Sequence, residues 1–282
     1  MNEMSSDDIK KMSLEIIKDV HVFCEQNHIK YSLAGGTLIG AIRHDGFIPW
    51  DDDIDILMPR PDFERFFKTY KSKNGFKSFC RNITNDSNVL IAFGRVCDVE
   101  RTIVNQGVSP WVNQEVGVWI DIFPYDGAPS DKEEAYSYIN KMYKEWKLAN
   151  FARWKFGDTH FSLNLAHTKK MRFKLVLKKF FSFFVSKSQI DEFIKKCKAY
   201  NYDSCDYIAM YAQLQYKERE WMPKTVINKC NLHKFEDTEL YIMQGYDQYL
   251  KSLFGNYMEL PPESDRTGRH TFNKYFWKDE TR

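Results

Sequence analysis

The sequence predicts an α+β protein, a mixed sheet flanked by helices and followed by a mainly helical C-terminal part. Three observations carry that expectation. Apolar runs at residues 54–58, 76–81, 89–96, 101–106 and 116–123 have strand length and are separated by turn-rich segments. Helical spacing precedes them at residues 6–27 and returns from residue 131. A composition of 43% hydrophobic and 28% charged residues over 282 positions is that of an ordinary globular chain able to bury a core. A boundary near residue 130 then divides a core region, 1–130, from a mainly helical packing or acceptor-side region, 131–282.

In chain order, Ser5 or Ser6 ahead of Asp7 and Asp8 reads as a helix N-cap, and Leu14, Ile17, Val20 and Cys24 keep helical spacing. Residues 31–34 form a short strand. Gly35-Gly36-Thr37 then turns into one or two helical turns at residues 38–43, which gathers backbone N–H groups where no Cβ intrudes and suits a donor phosphate. The same glycine pair is also compatible with a plain tight turn. Next come Asp51, Asp52, Asp53 and Asp55 beside the apolar strand 54–58. Strand alternation points Asp53 and Asp55 to one face, where a hard cation, Mg²⁺ or Mn²⁺, would relieve their repulsion. If the strand begins earlier, Asp51 and Asp53 are the facing pair, and a solvated loop or a set of helix caps is the plainer alternative. An EF-hand is excluded, because Ile56 and Asp62 stand where that loop requires Gly and Glu.

Pro59-Arg60-Pro61-Asp62 ends the strand and caps a helix whose Phe63, Phe66, Phe67 and Tyr70 read as core. In the strand at 116–123 a single acid, Asp121, sits inside WIDIF. A buried carboxylate needs a partner, and the expected partner is the metal held by Asp53 and Asp55; a capping acid on an edge strand is the alternative. Three carboxylates from two strands suit metal-assisted attack of a hydroxyl on phosphorus, with Asp121 as third ligand or base. Arg43, just past the glycine turn, is a candidate for the donor phosphates. His44 and Trp50 in the same stretch stand as further candidates.

The segment GGTLIGAIRHDGFIPWDDDIDI resembles the signature of the LicD family, whose relatives include the fukutin-type phosphotransferases. Phe93-Gly94-Arg95-Val96-Cys97-Asp98, Trp119-Ile120-Asp121-Ile122-Phe123-Pro124 and Phe254-Gly255-Asn256-Tyr257-Met258-Glu259-Leu260-Pro261-Pro262 match further family segments in order. The resemblance implies a nucleotidyltransferase-like fold and transfer of a substituted phosphate, phosphocholine from CDP-choline in LicD proteins. Its acceptor would be a cell-surface glycan such as teichoic acid, lipopolysaccharide or capsule, or a lipid-linked precursor. His270 lies near the family's closing basic residues. Arg95 stands where the family usually has Lys, and since Arg is a competent phosphate ligand the resemblance implies a donor-phosphate role for it. Cys97 stands where the family tends to have Arg, and with the unusual Asp98 after it is a candidate for reading the head group, which leaves choline, ethanolamine or a polyol phosphate open. Two other classes remain: a D-x-D glycosyltransferase using a sugar nucleotide, and a non-catalytic glycan-binding relative.

Composition sets the remaining expectations. A net charge of +2 says nothing by itself about nucleic acid, and no nucleic-acid partner is expected. Six scattered cysteines without a C-x-x-C pair argue against a zinc ribbon or a disulfide framework. The polar N-terminus and the lack of a long apolar run point to a cytoplasmic protein, peripheral at most at the inner face of the membrane. Residues 169–187 form a basic amphipathic helix with Phe173, Val176, Leu177, Phe180 and Phe184 on one face. Such a helix either meets an anionic membrane or packs its apolar face inward.

Overall fold

The computed structural model describes residues 2–84, 86–107, 110–157, 168–266 and 273–278. Helix α1, Ser6–Gln26, starts where expected: Ser5 Oγ accepts from the Asp8 N–H, while the Asp8 carboxylate accepts from the Ser5 N–H, a reciprocal capping box. Its buried stripe, Met12, Ile16, Ile17, Val20 and Cys24, packs into the main core.

A seven-stranded sheet forms the centre. Strands β1 (Ser32–Leu33), β2 (Asp55–Pro59), β6 (Trp119–Ala128), β4 (Gly94–Cys97) and β3 (Lys77–Cys80) lie in that order. Only β2 and β6 run parallel; the other pairings are antiparallel. The far half of β6 pairs with β7 (Tyr207–Ala209), and β7 with β8 (Met222–Pro223), so the C-terminal half of the chain returns to the sheet. Strand β5 (Thr102–Asn105) pairs instead with β11 (Lys274–Trp277), and β9 (Cys230–Phe235) with β10 (Thr238–Met243).

Helix α2, Gly35–His44, begins at the first glycine, three residues before the expected start. Helix α3, Arg60–Thr69, begins before Asp62, which therefore sits in the first turn and is not the cap. Phe63, Phe66 and Phe67 are core, with Tyr70 stacked on Phe66. The strand expected at 89–96 shrinks to β4: Val89 makes only an isolated bridge to Val112, and its carbonyl accepts from the Arg81 guanidinium at 2.7 Å. Helix α4, Lys132–Phe151, is capped by Asp131. It packs with α6, Ser188–Cys197, over a second core of Ile139, Met142, Ile190, Phe193 and Tyr211. Between them lie the short 3-10 helix Ala152–Phe156 and α5, Lys169–Ser182. Among the described residues no helix is long and apolar enough to cross a membrane.

Candidate active site

Register puts the site together. Asp55 on β2 stands opposite Asp121 on β6, and Asp121 stands opposite Arg95 on β4. Directly paired residues share a sheet face, so the three side chains form one row across three strands. Arg95 forks the Asp121 carboxylate through Nε and Nη2, the latter at 3.1 Å, and its guanidinium lies 4.3 Å from the centre of the Trp119 ring. Two sequence expectations therefore meet: the base or third metal ligand and the donor-phosphate ligand are paired with each other. Asp53 lies just before the strand and not within it, so its position is set by loop geometry instead of by alternation.

The glycines belong to this cluster. A Cβ on Gly35 would approach Asp55 Oδ2 to 3.3 Å, one on Gly36 would stand 2.8 Å from Asp51 Oδ2, and Gly35 adopts φ +50°. The first turn of α2 is glycine because carboxylates lie against it. Its phosphate-cradle reading changes accordingly. The Gly35 N–H donates to Tyr249 Oη at 3.2 Å, and Thr37 Oγ1 accepts from the Asp55 N–H at 2.9 Å, so Thr37 positions the acid instead of facing a ligand. Further ties run to the C-terminal part: the Met243 N–H donates to Ser32 Oγ at 2.8 Å, and Arg43 Nη1 to the Tyr257 carbonyl at 3.0 Å.

The acid row and the glycine turn line a cleft of about 1250 Å³, the right order for a nucleotide-sized ligand. Gly35, Gly36, Arg43, Trp50, Asp51 and Asp53 lie on its wall, as do Asp55, Arg95 and Asp121. Arg43 Nε donates to His44 Nε2 at 2.9 Å, and burial together with Arg43 lowers the His44 pKa, which favours a neutral structural imidazole. The Arg266 guanidinium lies 5.6 Å from the Trp50 ring. His270 falls outside the described residues. Cys97 and Asp98, suspected of reading the head group, are buried away from the cleft: burial pushes the Cys97 thiol up to about 12, and Asp98 Oδ1 accepts from the N–H of Arg101 at 2.8 Å.

Two cleft residues escaped sequence reasoning. Arg153 is half-buried and donates to the Pro110 carbonyl at 3.0 Å, and desolvation together with the neighbouring Arg95 pushes its pKa down to about 9. Glu220 is fully buried with Oε1 unbonded among the described residues, and burial pushes its carboxyl up to about 8. Neither sits in a recognisable motif, and both reach the site only through tertiary packing.

The acid cluster suits a hard cation. Burial raises the Asp55 pKa well above the carboxylate range, and Asp53, Asp121 and Asp51 raise it further while Arg95 opposes them. Like charges massed at the floor of a cleft are what a divalent ion compensates. Among the described residues no three such side chains are drawn together as a finished cage. A Mg²⁺ site often uses one or two carboxylates and completes its shell with water and substrate phosphates, and the pair Asp53 and Asp55 fits that pattern.

The acid cluster, Arg43, Arg95 and the glycine-started helix all lie within residues 28–163, the stretch that matches a family model described as "LicD/FKTN/FKRP, nucleotidyltransferase domain". Over 282 residues, 98% of this chain and 99% of the relative, the chain is 31% identical to the lipopolysaccharide cholinephosphotransferase LicD of Haemophilus influenzae. It is also 31% identical over 144 residues to an uncharacterized protein of Rickettsia typhi, covering 50% of this chain and 41% of that one. An uncharacterized protein of Rickettsia prowazekii is 52% identical over 54 residues, 19% of this chain and 20% of that one. The chain belongs to the LicD family.

Proposed function

We propose that this protein is a metal-dependent phosphotransferase that moves phosphocholine from CDP-choline to a hydroxyl of a cell-surface glycan or its lipid-linked precursor. The observation that carries the reading is the row Asp55, Asp121, Arg95 at the floor of the cleft, in a chain similar along its length to a cholinephosphotransferase. The acceptor oxygen forms a bond to the phosphorus of phosphocholine as the bond to CMP breaks, and the acceptor proton passes to a carboxylate or to water. Asp53 and Asp55, with Asp51 beside them, would hold Mg²⁺ or Mn²⁺. A bound divalent ion screens phosphate charge and lowers the pKa of the attacking hydroxyl. Arg95, oriented by Asp121, and Arg43, fixed by backbone carbonyls, present positive charge toward the donor phosphates. In this reading the protein works in the cytoplasm, at the inner face of the membrane that carries the acceptor.

The test is CMP release from CDP-choline, CDP-glycerol and CDP-ribitol in the presence of a glycan acceptor, with Mg²⁺ or with EDTA. Metal-dependent CMP release, fastest from CDP-choline, is the expected result. Release of a nucleoside diphosphate from a sugar nucleotide, with silence from all CDP donors, would replace the reading with glycosyl transfer.

A further inference from the structure

We propose that helix α5 and the turn after it form a docking surface for an anionic lipid bilayer. Amphipathic sequence at this place is compatible with inward packing, but the structure turns the apolar face outward. Phe173, Phe180 and Phe184 are 64, 57 and 75% exposed, and Val176, Leu177, Phe181 and Phe183 are exposed with them. Clustered exposure of this kind is unusual on a water-facing surface and marks an interaction face. The side that packs on the protein is narrow: Met171, Leu175 and Lys179 are half-buried and Ser182 is buried, a stripe of one residue per turn.

Helical geometry then orders the remaining residues. Positions 173, 176, 177 and 180 lie opposite the packed stripe, Phe184 follows in the turn after the helix, Arg172 and Lys174 flank the apolar crest, and Lys178 stands between it and the packed side. Residues 168–187 contain seven Lys or Arg and no Asp or Glu. An apolar crest between basic flanks matches a bilayer whose acyl boundary takes the phenylalanines and whose anionic headgroups take the charges. The helix is secured in this attitude at its base. Lys179 Nζ donates to the carbonyls of Lys155 and Gly157 at 2.9 and 2.7 Å, and Lys155 Nζ donates to the Val185 carbonyl at 2.7 Å.

The surface also adjoins the cleft. Lys178 and Trp154 both line it, with Lys178 Nζ 4.9 Å from the Trp154 ring. A bilayer under α5 would bring the headgroup region to the cleft wall, so the acceptor class becomes a glycan carried on a lipid. That consequence for the acceptor rests on the phosphotransferase reading; the docking itself does not.

The experiment is co-sedimentation of the full chain with vesicles of phosphatidylcholine alone or mixed with phosphatidylglycerol. Binding is expected only to the anionic vesicles and should weaken as salt rises. Phe180→Glu with Phe184→Glu should reduce binding by about tenfold or more, and Lys170→Glu with Lys174→Glu should do the same while leaving the apolar face intact. Melting temperatures of both variants check folding. Absence of binding by the unaltered chain, or unchanged binding by folded variants, overturns the proposal. So does a concentration-dependent dimer, seen by light scattering, that the phenylalanine variant abolishes. Vesicle binding needs no donor nucleotide: binding without CMP release refutes the reading of the cleft alone, and CMP release from a soluble acceptor without vesicle binding refutes the docking alone.

Discussion

Arg95 and Asp121 face each other across adjacent antiparallel strands, forked together with the guanidinium laid over Trp119, and both are largely withdrawn from water. Breaking such a pair from one side leaves the other charge uncompensated. Arg95→Met should cost about 3 kcal/mol. The double variant Arg95→Met, Asp121→Asn should recover most of the loss, while still lacking transferase activity. Urea denaturation of Arg95→Met, of Asp121→Asn and of the double variant measures the coupling, and strictly additive losses would show that the pair is not coupled.

Gly36 is predicted to be required for catalysis more than for folding. A methyl group there meets Asp51 Oδ2 at 2.8 Å, so Gly36→Ala must displace the acid cluster from the head of α2. CMP release should fall by about a hundredfold or more, a loss set by misplacement of reacting groups. The melting temperature should shift by only a few degrees. Near-normal turnover would detach the glycine from the site.

Asp55→Asn separates stability from activity. The acid is disfavoured in its charged form by burial and by three neighbouring carboxylates, so its neutral isostere should not lower the melting temperature. Turnover should drop by about a hundredfold or more. Binding of Mn²⁺, followed by paramagnetic relaxation of water, should weaken in parallel. Full activity in the variant would remove Asp55 from the chemistry.

Glu220 predicts a pH dependence of stability. Its folded carboxyl holds a proton up to about 8, whereas the unfolded chain releases it near the ordinary 4.5. Folding therefore takes up a proton between those values, and this group's contribution to stability is full below the window and lost as pH rises through it. Glu220→Gln should melt like the parent at low pH and higher than the parent at pH 9, by an amount worth a few kcal/mol, on the order of 1.4 per pH unit of the window. Parallel melting curves at all pH values would contradict the assignment.

What could be read from the sequence was local. The N-cap at Ser5 or Ser6 ahead of Asp7 and Asp8, the aromatic spacing of Phe63, Phe66 and Phe67, and the density of acids at 51–55 each involve neighbours in the chain, where spacing determines geometry. The Arg95 and Asp121 pair lies 26 residues apart and depends on strand register, which no local pattern specifies. Glycine disfavours helices, which conceals the head of α2 in the sequence, and only the carboxylates packed against Gly35 and Gly36 explain a helix beginning there. Glu220 and Tyr249 arrive from more than a hundred residues downstream of the acid cluster. The outward face of α5 was undetermined for a different reason: its periodicity is the same whether the apolar side meets a core or a bilayer.

The ties from Tyr249 to Gly35, from Met243 to Ser32 and from Arg43 to Tyr257 bear on how such a site can be inherited. The acids and arginines proposed to act all lie in the first half of the chain, yet their seating is supplied by residues 243–257. A graft of 28–163 into a relative would carry the acids without the hydroxyl that seats Gly35 or the carbonyl that steadies Arg43. Head and tail of this chain are therefore exchangeable between homologues only as a matched set, and substitutions near Tyr249 should be compensated by changes around Gly35.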